Sequence, residues 1–151
     1  MKTFLVPIDF SAVSEEIIAT AVTFARAFDG KVVLLHTVQS QVISSDYALP
    51  LEALHEAMLV EEKSATDKLA RYAEIFHSAD MAVETIVRQG PPVTAILEVA
   101  DKLSADFIIM GSHGHGRLYD LLVGSTASGV IKGTKCGVII MPPSEKNKAT
   151  S

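Results

Sequence analysis

Short runs of consecutive apolar residues alternate along this chain with longer stretches in which apolar positions return every three to four residues. Thr3-Phe4-Leu5-Val6-Pro7-Ile8, Val32-Val33-Leu34-Leu35-His36-Thr37-Val38, Phe107-Ile108-Ile109-Met110 and Val138-Ile139-Ile140-Met141 are runs of the first kind. Such runs are expected of strands covered on both faces. Residues 82–88, Ala-Val-Glu-Thr-Ile-Val-Arg, alternate instead, as a strand at a sheet edge with one wet face would. Pro7 cannot donate to a ladder and therefore marks the end of the first strand.

Helical spacing fills the intervals. Ile17, Ile18, Ala21, Val22, Phe24, Ala25 and Phe28 form the first stripe, ended by Asp29-Gly30. Ser11 is the expected N-cap of this helix, and Glu15 and Glu16 suit its first turn. Leu51, Leu54, Met58, Ala65, Leu69, Tyr72 and Phe76 predict a long helix from about Pro50 to His77, with a slack point near Glu61-Glu62. Gln89-Gly90-Pro91-Pro92 turns into a third helix carrying Val93, Ile96, Leu97, Ala100 and Leu103. A fourth helix is expected over about 125–133. Residues 39–49 read as the longest loop.

Five strands alternating with four helices predict an α/β fold: an open five-stranded parallel sheet, order 3-2-1-4-5, Rossmann-like, with helices on both faces. Residues 1–143 are expected to form one domain, and residues 144–151 a flexible tail. Open sheets of this kind bind ligands beyond the carboxyl ends of their strands, where strand order reverses. In that order the turn after the first strand, at Asp9, and the turn after the fourth, at Gly111, face one crevice.

Composition narrows the class. With 151 residues, 48% of them hydrophobic and 21% charged, the chain has the make-up of an ordinary folded domain. A net charge of −5 leaves no electrostatic footprint for nucleic acid. The lone cysteine, Cys136, excludes an internal disulfide framework and fits a reducing compartment. It lies ahead of an apolar strand, which favours a small buried hydrophobe over a nucleophile. No signal peptide opens the sequence and no run of about 18 apolar residues could span a membrane, so the expectation is cytoplasmic.

The chemistry concentrates in Met110-Gly111-Ser112-His113-Gly114-His115-Gly116-Arg117 and in Gly124-Ser125-Thr126 beyond it. Three glycines in six positions permit positive φ angles and close approach to a ligand. Gly-Ser-Thr then opens a helix whose free N–H groups and dipole favour an anion. The mononucleotide loop fails, because Val130-Ile131 follow Gly129 where Lys and Ser or Thr are needed. The dinucleotide fingerprint fails at Tyr119. What fits is Gly111, two residues, Gly114, nine residues, Gly124-Ser125.

That spacing resembles the nucleotide-binding signature of the universal stress protein family, in its ATP-binding branch. The likeness extends to Pro7-Ile8-Asp9-Phe10-Ser11, similar to the family's first turn, and to Leu34-Leu35-His36-Thr37-Val38, similar to its second strand. It implies that Asp9, next to Ile8, meets the ribose or adenine edge and that the backbone around Thr37 meets adenine. It also implies that Gly111, Gly114, Gly124 and Ser125 hold ribose and phosphates, with Met110, His113 and Thr126 lining the site. Thr37 replaces a common aliphatic residue, and Gly137 stands where the family usually carries proline.

Several residues keep two readings. Asp9 is a turn former as well as a ribose acceptor. Arg117 is a phosphate contact or a solvated loop charge. His113 and His115 alternate as metal ligands can, yet no third ligand is fixed near them, so any divalent ion is expected to be Mg²⁺ held by nucleotide phosphates. No general base is positioned by spacing, which favours a nucleotide-responsive stress regulator over a slow ATPase on the same site or a dimerisation module that binds nothing. The apolar last strand, Val138, Ile139, Ile140 and Met141, needs a partner at its edge. Pairing with a second copy supplies one, and the resemblance implies the same homodimer.

Overall fold

The computed structural model describes residues 1–39, 50–114 and 123–143. Its strands are β1 (Thr3–Pro7), β2 (Lys31–Val38), β3 (Val83–Gln89), β4 (Phe107–Gly111) and β5 (Gly137–Met141). Its helices are α1 (Ser14–Ala27), α2 (Leu51–His77), α3 (Pro92–Leu103) and α4 (Ser125–Gly133). The 39–49 loop, apart from Gln39, and the 144–151 tail lie outside the described residues.

All five strands are parallel, in the order β3-β2-β1-β4-β5, as the alternation of patterns predicts. Strand alternation splits the core in two. Phe4, Val6, Val32, Leu34 and Ile109 face α1 and α2, where Ile18, Leu69 and Phe76 complete one cluster. Leu5, Val33, Leu35, Ile108 and Met110 face α3 and α4, with Ile96, Val99, Ala127 and Val130. Each large side chain so buried contributes about 1.5–3 kcal/mol. The wet edge expected of residues 82–88 is β3, which carries exposed Glu84 and Thr85. Cys136 is half-buried against the second cluster, and its backbone N–H donates to Thr134 Oγ1 at 3.1 Å.

Two local expectations are corrected. Ser11 does not cap α1: the helix begins at Ser14 behind Val13, with no side-chain cap. Asp9 takes the role of local turn-maker, its Oδ1 accepting from the Ser11 N–H at 2.9 Å. A carboxylate two residues upstream satisfies that donor before the helix starts. The apolar stripe of α2 also buries only its carboxyl-terminal half, at Ala65, Leu69, Ala73 and Phe76, while Leu51 is 84% exposed. A 27-residue helix spans about 40 Å, far more than a strand of seven or eight residues can cover. Its first turns therefore project past the sheet.

Candidate functional site

The carboxyl ends of β1, β2 and β4 open into a cavity of about 570 Å³, within the range of small-molecule sites. Ile8, Asp9, Thr37, Met110, Gly111, His113, Gly114 and Thr126 line it. Eight residues singled out from four separate stretches of sequence are thus brought to one hollow. Gly124 and Ser125 are the N-cap and first residue of α4, directly before Thr126. Arg117 lies outside the described residues, as do His115 and Gly116.

At the end of β1, the Ile8 N–H donates to the Leu35 carbonyl at 2.8 Å, extending the ladder one residue beyond the strand. The Ile8 carbonyl lies 2.7 Å from His36 Nδ1. A carbonyl only accepts, so Nδ1 carries the proton. Phe10 follows with φ 61°, an uncommon angle for a bulky residue and one that costs on the order of 1–3 kcal/mol. Its ring is held on several sides. The His36 ring lies 4.4 Å away between centroids, Tyr72 stacks at 6.4 Å, and the Lys68 ammonium is 5.0 Å over the ring. Burial raises the Tyr72 phenol above its ordinary value, and the Glu15 and Asp9 carboxylates add to the shift.

Across the cavity the glycine turn is tied down by its backbone. The Ser112 N–H donates to the Met141 carbonyl at 2.8 Å, and the Ser112 carbonyl accepts from the Gly124 N–H at 2.7 Å. The Ser112 hydroxyl meets His113 Nδ1 at 2.9 Å. These contacts join the ends of β4 and β5 to the start of α4. The N-cap of α4, Gly124, has no side chain to cap the first turn, which suits its amides and its positive dipole end to a ligand.

The glycines act differently from the expectation of positive φ. Gly90 is the one described glycine with such an angle. At Gly111, Gly114 and Gly124 what matters is space. A Cβ on Gly114 would stand 2.5 Å from Asp9 Oδ2, and one on Gly124 would stand 2.9 Å from the Ser112 carbonyl oxygen. Missing side chains let the Asp9 carboxylate and the glycine turn close on each other.

Four α2 residues on this cavity, Glu61, Ser64, Ala65 and Lys68, have no counterpart among the sequence-based candidates. Phe10 and His36 also line it. The signal was present: the slack in the apolar stripe at Glu61-Glu62 is where α2 leaves the core and meets the cavity.

The family profile described as the Universal stress protein family matches residues 1–142. This chain belongs to the universal stress protein family. Universal stress protein MJ0531 of Methanocaldococcus jannaschii is 32% identical to it, over 96% of this chain and 84% of that protein. The solved structure of the hypothetical protein MJ0577, from the same organism, superimposes with a TM-score of 0.83 at 27% identity. It covers 95% of this chain and 97% of that one. A universal stress protein family member from Arabidopsis thaliana, with AMP bound, has the same fold at a TM-score of 0.71 and 17% identity, over 97% of this chain and 95% of that one. The order β3-β2-β1-β4-β5 is therefore the fold of a universal stress protein, and the cavity occupies its strand-order reversal.

Proposed function

We propose that this universal stress protein binds ATP or another adenine nucleotide in the cavity and acts as a nucleotide-responsive regulator. The observation that carries the reading is the meeting of Asp9 with the glycine turn: Oδ2 lies 2.5 Å from the position a Gly114 Cβ would take. A carboxylate beside a backbone that can be approached closely suits a ribose hydroxyl next to a phosphate. The first turn of α4, opened by Gly124 and running through Ser125 and Thr126, suits the phosphates. Ile8, Thr37 and Met110 form the rest of the floor, with Gly111, His113 and Gly124 on the phosphate side and Arg117 as a further phosphate contact. Mg²⁺, where present, is held by the phosphates rather than by a protein cluster. The structure with AMP bound shares the fold, and the reading for this chain stands on its own residues.

The protein works in the cytoplasm as a homodimer paired along β5, whose residues Val138 to Met141 are half-buried beside β4 and form a sheet edge. Isothermal titration with ATP and Mg²⁺ tests the central claim. Saturable binding with one nucleotide per chain is expected, and no heat at millimolar ATP refutes it.

A further inference from the structure

The cavity runs from α4 across the ends of β4, β1 and β2 to α2, which packs on β2 and β3. Glu61, Ser64, Ala65 and Lys68 stand at positions i, i+3, i+4 and i+7 and so share one face of α2. The middle of that face is small: Ala65 is buried and Ser64 offers only a hydroxyl. Its two ends carry opposite chemistry, about 10 Å apart along the axis. The Lys68 ammonium rests over the Phe10 ring, 5.0 Å from its centroid. The Glu61 carboxylate makes no ion pair or hydrogen bond among the described residues.

If phosphates occupy the amino end of α4, a nucleotide laid over the strand ends brings its base to this wall. We propose that Glu61 is a specificity-determining residue that accepts a hydrogen bond from the exocyclic amino group of a 6-aminopurine. This assignment rests on the nucleotide reading above. An ionised carboxylate only accepts. It therefore rewards the 6-amino group of adenine and opposes the 6-carbonyl oxygen of a 6-oxopurine. An analogue without the 6-amino group loses one charge-assisted hydrogen bond.

The test compares ATP with purine riboside triphosphate, which has the same sugar and phosphates but no 6-amino group, and with inosine triphosphate. The wild type is expected to bind ATP about tenfold or more tightly than purine riboside triphosphate, the span of one charge-assisted hydrogen bond. Glu61→Ala abolishes that ratio by weakening ATP alone. Glu61→Gln keeps most of the ATP affinity, because the amide oxygen still accepts, and improves inosine triphosphate, because the amide nitrogen donates to the 6-carbonyl. Glu61 is exposed on a helix, so melting temperatures should stay level across the three proteins. Equal weakening of ATP and purine riboside triphosphate by Glu61→Ala overturns the assignment, as does unchanged ATP affinity. A wild type that binds both triphosphates equally removes the base contact and leaves nucleotide binding intact, whereas one that binds neither removes both claims.

Discussion

The carboxylate of Asp9 fills the space a side chain on Gly114 would need, Oδ2 lying 2.5 Å from the ideal Cβ position. One residue belongs to the turn after β1 and the other to the turn after β4, more than a hundred positions later. Their contact joins the two halves of the candidate site.

Gly114→Ala is expected to separate binding from stability. Asp9 Oδ1 also accepts from the Ser11 N–H, so the new methyl shifts the carboxylate at the cost of about one hydrogen bond, roughly 0.5–1.5 kcal/mol. Affinity for ATP should drop about tenfold or more, the loss of a charge-assisted bond, while the melting temperature falls by no more than a few degrees. A large fall in melting temperature with unchanged affinity would contradict this account.

Gly124→Ala should behave in the opposite way. Its Cβ would stand 2.9 Å from the Ser112 carbonyl oxygen, and main chain cannot swing aside. The bond from the Gly124 N–H to that carbonyl would be strained as well. Destabilisation of about 1–3 kcal/mol is expected, a shift of several degrees in thermal unfolding at roughly 2–4 °C per kcal/mol. An unmoved melting curve would show that the turn adapts freely.

His36→Phe keeps the aromatic contact with Phe10 and removes the donor to the Ile8 carbonyl, now at 2.7 Å. An unpaired buried acceptor costs about 1–3 kcal/mol. His36→Asn, with an amide nitrogen near the Nδ1 position, should recover part of that loss in chemical denaturation. Equal midpoints for the two variants would count against the hydrogen bond.

Tyr72 is expected to ionise above the ordinary tyrosine range, because burial and the Glu15 and Asp9 charges all oppose the phenolate. Its folded form holds the proton to higher pH than the unfolded chain does. The associated stability is whole below about pH 10 and is lost as pH rises through the folded value. With Tyr47 and Tyr119 changed to Phe, the phenolate absorbance reports this one group. Glu15→Gln should bring its midpoint down, and a midpoint that does not move would exclude the charge contribution.

Pairing along β5 predicts a solution mass of twice the chain by light scattering. Ile140→Lys, placed on that edge, should shift the protein toward single chains at micromolar concentration. A wild type that runs as a monomer ends the dimer reading.

Hydrophobic rhythm made the order of elements readable in advance, because a buried parallel strand such as Phe107-Ile108-Ile109-Met110 and an amphipathic helix such as Pro92–Leu103 leave distinct periods. Turn chemistry marked Asp9, and glycine spacing marked Gly111, Gly114 and Gly124, because both are written in neighbouring residues of the chain. What no linear pattern contains is distance across the fold. Only the packed sheet decides that Asp9 rather than Ser11 completes the first turn, that Gly114 is bare to admit a carboxylate rather than to reach positive φ, and that the Glu61–Lys68 face of α2 overlooks the cavity. Those relations come from strand order and helix length, which bring together residues that the chain keeps far apart.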